Sequence, residues 1–167
     1  AASDKSAIMD VADLYMDVRH AAAHHELADG ANQRPHYSVR TLARALTFAA
    51  ALAPAYGLRR ALMEGMTMSF GMLLDAPSAL AFQNMLDRHL LVRAKDRRTQ
   101  RTFVPSSPGP DHVRVGAFWL EAGPVPPDPA PEYVLTASVE AKINALARAL
   151  VTRQSPVLIQ GCLLYTS

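Results

Sequence analysis

The chain has 167 residues, half of them hydrophobic and 19% charged, with a formal net charge of +2. That length supports one domain with a real core, and so small an excess of positive charge does not by itself imply nucleic-acid binding. The single cysteine, Cys162, excludes an internal disulfide and a cysteine-based zinc site, and it accords with a reducing compartment.

No run approaches the roughly 20 apolar residues that span a bilayer, so no membrane partner is expected. Ala1–Met9 has no basic segment followed by an apolar core and does not read as a secretion signal. With no initiator Met, and a helix opening almost at once, the chain is expected to be an internal piece of a longer protein.

Periodicity predicts a first helix over Asp4–Leu27, with Ile8, Val11, Ala12, Tyr15, Val18 and Ala22 on one face. His20 and His24 lie four apart, a spacing that can pair imidazoles at a metal. No HExxH pattern or cysteine accompanies them, and exposed histidines at a helix end are the plainer account.

Asp29–Leu46 reads DGANQRPHYSVRTLARAL. A glycine-containing turn stops the first helix, a polar segment with Pro35 follows, and Ser38 is placed to N-cap a second helix. That helix is predicted over Ser38–Ala53 and stopped by Pro54, with Val39, Leu42, Leu46 and Ala49 as its apolar stripe. Arg40 falls in its first turn, off the stripe. A cation there opposes the helix dipole, so intrinsic helix stability does not account for it. An anion brought from outside would; the alternative is a solvated arginine or a surface ion pair.

A third helix is predicted over Leu58–Leu74, with Leu58, Ala61, Leu62, Gly65, Met68, Ser69 and Met72 facing inward. Its methionines (Met63, Met66, Met68, Met72) suit either an adaptable groove or plain core filling. Gly65 costs about 1 kcal/mol against Ala in a helix, which a close helix–helix contact would explain. Asp75-Ala-Pro77-Ser78 breaks the chain and caps a fourth helix, Ala79–Val92, with Leu80, Met85, Leu86, His89 and Leu90 as its stripe. Four amphipathic helices with short connections make a small bundle.

Arg93–Arg101 (RAKDRRTQR) is basic, but it lacks interleaved aromatics and contains Asp96. It reads as a solvated linker, continued by Pro105–Pro110, and direct RNA contact is not expected. His112–Glu121 (HVRVGAFWLE) predicts one or two short strands bent near Gly116, with Trp119 packing against the following module. Gly123–Pro131 (GPVPPDPAP) is a stiff spacer. Thr136 is placed to cap a helix over Ala137–Arg153, whose face is Val139, Ile143, Leu146, Ala147 and Leu150. Pro156-Val-Leu-Ile-Gln160 then reads as a buried strand, ending at Gly161.

Helix, buried strand and glycine are how a P-loop ATPase core begins, and G-x-x-x-x-G-K-[ST] should come next. Instead the chain reads Cys-Leu-Leu-Tyr-Thr-Ser, with Thr166 at the second glycine and Ser167 at the lysine. Threonine disfavours positive φ and serine carries no charge, so no working phosphate loop is present. The abrupt switch at Gly161 suggests that residues 162–167 are a non-native truncation or adaptor scar.

The phrase DGANQRPHYSVRTLARALTFAA resembles the lid signature of the midasin family, very large dynein-related AAA+ ATPases of large ribosomal subunit assembly. The resemblance runs from about Asp29 to Gly161. It is strongest at the lid signature and again from Tyr133 to Gly161. In related AAA+ lids an arginine at the position of Arg40 is the second sensor, which reaches the γ-phosphate. The resemblance implies a mainly α fold. A helical AAA+ lid would occupy 1–92, a linker with a short β element 93–131, and the truncated first helix and strand of the next α/β P-loop core 132–161. It implies ATP and magnesium as cofactors of the parent, with Arg40 and Gly161 as the nucleotide-binding residues of this chain. Partners would be the neighbouring AAA+ modules and the pre-60S ribosomal particle, in the nucleus. The parent would be an ATPase, while this chain alone, lacking a core, would be inactive. Two other readings stay open: a piece of a MoxR-like AAA+ chaperone, and a non-catalytic helical interaction module with a proline-rich tail.

Overall fold

In a computed structural model of the chain, residues 2–91, 103–125, 135–154 and 156–157 are described. The first helix, α1 (Ala2–Ala23), ends earlier than its apolar pattern suggests. His25 adopts a left-handed φ of 59°, and Glu26 N–H donates to the carbonyl of Ala21 while His25 N–H donates to that of Ala22. This pair of bonds is a Schellman turn, which satisfies carbonyls that the helix end leaves open. The stop therefore comes ahead of Gly30. Asp29 then holds the loop, its Oδ1 accepting from the backbone N–H groups of Ala31 and Gln33 at 2.9 and 2.8 Å.

The second helix, α2, runs Val39–Tyr56. Ser38 and Thr41 form a reciprocal capping box: Thr41 N–H donates to Ser38 Oγ, and Ser38 N–H to Thr41 Oγ1. Pro54 does not stop this helix but lies inside its last turn. Only the carbonyl of Ala50 loses a partner to it, and both residues are exposed. Gly57, with a φ of 79°, makes the reversal into α3 (Leu58–Met66), which runs back along α2. A Cβ on Gly65 would lie 2.2 Å from the carbonyl oxygen of Ala45, so glycine is what lets these two helices approach.

The predicted third helix is interrupted. A π-helical turn over Thr67–Gly71 follows α3 and adds a residue to the helical register. It seats Phe70 among Tyr37, Tyr15 and Phe82, with ring centroids 4.8, 6.1 and 6.5 Å away. The hydroxyl of Tyr37 donates to the carbonyl of Phe70 at 2.7 Å. Next, α4 (Ala76–Leu90) is capped by Asp75, which accepts from Ser78 N–H at 2.8 Å. It packs along α1, and the bundle closes around Leu14, Val18, Leu27, Leu86 and Leu90, all fully buried. Each such side chain stabilises the fold by about 1.5–3 kcal/mol.

Polar ties fix the helices relative to one another. Arg59 of α3 pairs with Asp10 of α1 at 2.7 Å and donates to the carbonyl of Leu90 at the end of α4. His89 of α4 meets Asp17 of α1 at 2.7 Å.

Beyond the bundle, β1 (His112–Val115) and β2 (Phe118–Glu121) form an antiparallel hairpin with Val115 opposite Phe118. Gly116, at a φ of 59°, sits in its two-residue turn. The last helix, α5 (Ala137–Leu150), is capped by Thr136. No helix among the described residues is long and apolar enough to cross a membrane.

The elements match the expected helical bundle with a short β element, but several faces are rotated. Ile8, Val39 and Leu80 are 69%, 69% and 65% exposed, and Ala12, Leu46, Leu58, Met72 and Leu150 also face outward. Their places in the core are taken by Ala7, Leu14, Ala21, Ala45, Phe48, Leu52, Phe82 and Ala149. Met63 and Met66 fill the core. The basic run 93–101 lies outside the described residues, as do residues 158–160 of the strand expected over Pro156–Gln160; Pro156 and Val157 are described and form no strand.

Candidate functional site

Arg40 occupies the second position of α2, two residues after the Ser38 cap. Because Ser38 and Thr41 satisfy the first turn between them, the backbone that carries Arg40 is fixed. Its side chain is exposed and makes no ion pair or hydrogen bond among the described residues. The surface-pair account of this arginine therefore finds no partner there.

Arg44 lies one turn further along the same side of α2 and is likewise exposed and unpartnered among the described residues. Two cations four residues apart repel and weaken a helix by a few tenths of a kcal/mol. Arg40 adds an unfavourable position near the positive end of the dipole. Its place in the first turn singles out Arg40 from sequence, whereas Arg44 escapes notice there; the signal that could have found it is the four-residue spacing itself.

Both arginines line a cleft of about 750 Å³. One wall is α2, with Thr47 a further turn along. The π-helical turn contributes Met68 and Ser69, and the segment at the end of α5 contributes Ala149, Thr152 and Gln154. The cleft is thus cationic on one side and lined by neutral polar groups on the other. A guanidinium presents a planar fork of N–H donors that fits the oxygens of a phosphate or carboxylate.

The far wall stands where it does because of a buried charge node. Glu64 of α3, 5% exposed, pairs with Nη2 of Arg60 at 2.6 Å and with Nε of Arg148 of α5 at 2.5 Å. The guanidinium of Arg148 also lies over the ring of Phe118, 5.8 Å from its centroid. Phe118 is buried against Tyr56, whose hydroxyl accepts from the backbone N–H of Trp119 at 3.3 Å. Burial pushes the pKa of Tyr56 up, so the hydroxyl stays protonated. One node therefore joins α2, α3, the hairpin and α5. Trp119 faces the end of α5 across a second cleft, of about 440 Å³, and its ring N–H donates to the carbonyl of Pro105 in the linker.

His20 and His24 stack at the exposed end of α1, 4.0 Å between centroids. Among the described residues no group of three or more His, Cys, Asp or Glu is placed to hold a metal ion. Gly161 lies outside the described residues.

No solved structure matches the chain. Midasin of Dictyostelium discoideum is 30% identical over 164 residues, covering 92% of this chain. The chain spans 3% of that relative's length. A family model described as the midasin AAA lid domain matches residues 1–93, the stretch that holds α1 to α4 and both cleft arginines. The chain belongs to the midasin AAA lid family.

Proposed function

We propose that this chain provides the helical lid and inter-module linker of a midasin-like AAA+ ATPase, and that Arg40 meets the γ-phosphate of ATP held by the preceding module core. The observation that carries the reading is Arg40, exposed and without a partner among the described residues, on a capped first turn within a matched AAA lid. A charge-assisted contact from its N–H groups would stabilise phosphate oxygens far better than water-exposed repulsion from Arg44 destabilises the helix.

ATP, with its magnesium, supplies the phosphoanhydride whose cleavage drives the cycle. The donor set here suits the phosphates, and among the described residues no cluster of carboxylates or imidazoles is placed to hold the magnesium. The capping box sets where Arg40 stands when the lid closes. Loss of the γ-phosphate would remove that contact from Arg40 and free the lid to rock against its core. The Glu64–Arg148 pair carries this movement to α5, which opens the next core, whose phosphate loop would start at Gly161. In the whole protein such steps would remodel pre-60S ribosomal particles in the nucleus.

The test is turnover in a protein that includes the complete preceding module. Arg40→Ala should lower ATP hydrolysis at that site by an amount matching the loss of about 1.5–3 kcal/mol from a charged contact. Unchanged turnover and unchanged nucleotide affinity there would remove the role.

A further inference from the structure

The cleft beside Arg40 takes its two walls from two distant parts of the chain. We propose that Arg44, with Thr152 and Gln154 opposite it, completes a two-sided site for a nucleotide's phosphate chain, so that the bound anion bridges the lid and the segment after α5. The inference rests on the lid reading and extends it to a second arginine and to residues beyond the lid.

Three observations support it. Arg40 and Arg44 share one side of α2, and neither has a partner among the described residues, so both guanidinium groups are available to one anion. A polyphosphate between them would turn their mutual repulsion into shared attraction. The opposite wall carries the hydroxyl of Thr152 and the amide of Gln154, neutral groups that can donate to phosphate oxygen without competing for it. Finally, that wall is held in place from behind. Arg148 is pinned to buried Glu64, and Ala147 and Ala149 on either side of it are buried. The segment therefore faces α2 as part of a fixed arrangement.

A lone sensor arginine would report the phosphate to the lid alone. A site with walls on both α2 and the end of α5 lets the same anion act directly on the segment that leads into the next module.

The experiment titrates this chain with sodium tripolyphosphate, the phosphate chain of a nucleoside triphosphate without its base, and follows backbone amides by NMR. Saturable shifts are expected at Arg40, Arg44 and Thr47 and also at Thr152 and Gln154. Arg44→Gln should weaken binding about tenfold, and Gln154→Ala about threefold, with Arg44→Lys between wild type and Arg44→Gln. Both positions are exposed, so the variants keep the fold. Shifts confined to the start of α2, unaffected by Arg44→Gln, would overturn the two-sided site and leave the Arg40 role standing. Shifts reproduced by sodium chloride at equal ionic strength would mean an adventitious ion only and would overturn it as well. The Arg40 role itself falls on a different measurement, unchanged turnover of Arg40→Ala in the longer protein.

Discussion

Glu64 and Arg148 stand 84 residues apart in the chain and meet at 2.5 Å, with side chains 6% and 17% exposed. A carboxylate this deep is tolerable only because two guanidinium groups face it. Glu64→Ala would leave Arg60 and Arg148 without that carboxylate. It should cost about 3–5 kcal/mol in urea unfolding monitored by circular dichroism. Arg148→Met keeps the Arg60 pair and loses one charged contact, so it should cost about 1.5–3 kcal/mol. Hydrogen exchange should speed up most in α5 and the hairpin. Equal costs for the two variants, with uniform exchange, would contradict the node.

Gly65 allows a prediction by sign. In an open helix Gly→Ala is stabilising by about 1 kcal/mol. Here the new methyl would overlap the carbonyl oxygen of Ala45, a backbone atom that cannot move aside alone. Gly65→Ala should therefore destabilise by about 1–3 kcal/mol or more, as overpacked cores do. A raised midpoint in urea would show that α2 and α3 do not approach this closely.

The capping box links stability to the site. Ser38→Ala removes the acceptor for Thr41 N–H and should cost about 1 kcal/mol. The first turn of α2 carries Arg40, so it should fray first. Amide exchange at Thr41 and Leu42 should rise in Ser38→Ala while exchange in α4 stays unchanged.

Tyr37 sets a high-pH limit. Burial pushes its pKa up to about 12 from 10.0, and its hydroxyl donates to the carbonyl of Phe70. The folded state holds this proton more tightly than the unfolded state. The stability it contributes is fully present below pH 10 and is lost as pH rises toward 12. The rise from 10.0 to about 12 corresponds to at most about 2.7 kcal/mol, reduced by whatever solvent screening reaches the ring. Tyr37→Phe should remove this part of the decline, at a cost near 1 kcal/mol at neutral pH. Parallel pH profiles for the two proteins between 10 and 12 would refute the assignment.

Helix order and most helix caps are legible in the sequence, because they depend on neighbours within a few residues. Ser38 and Thr136 each cap the helix that their position predicts, while α4 opens on Asp75, at Ala76 rather than at the expected Ala79. Gly116 turns the hairpin, and Gly65 marks the close crossing. Arg40 stands out for a local reason, its charge in a first helical turn. Which side of each helix is buried depends on packing instead. In alanine-rich α1 and α2, apolar residues cover more than half the circumference, so periodicity alone does not choose between Ile8 and Leu14, or between Val39 and Phe48. The neighbouring helices choose. The extra residue of the π-helical turn changes the helical phase of the residues after Met66 up to the break before α4, and no spacing rule marks it. Arg60 and Glu64 lie one turn apart on α3, but their buried node is complete only when Arg148 arrives on α5 from far along the chain. The cleft is of the same kind: its arginines are local to α2, but its second wall exists only because a buried carboxylate holds Arg148 in place.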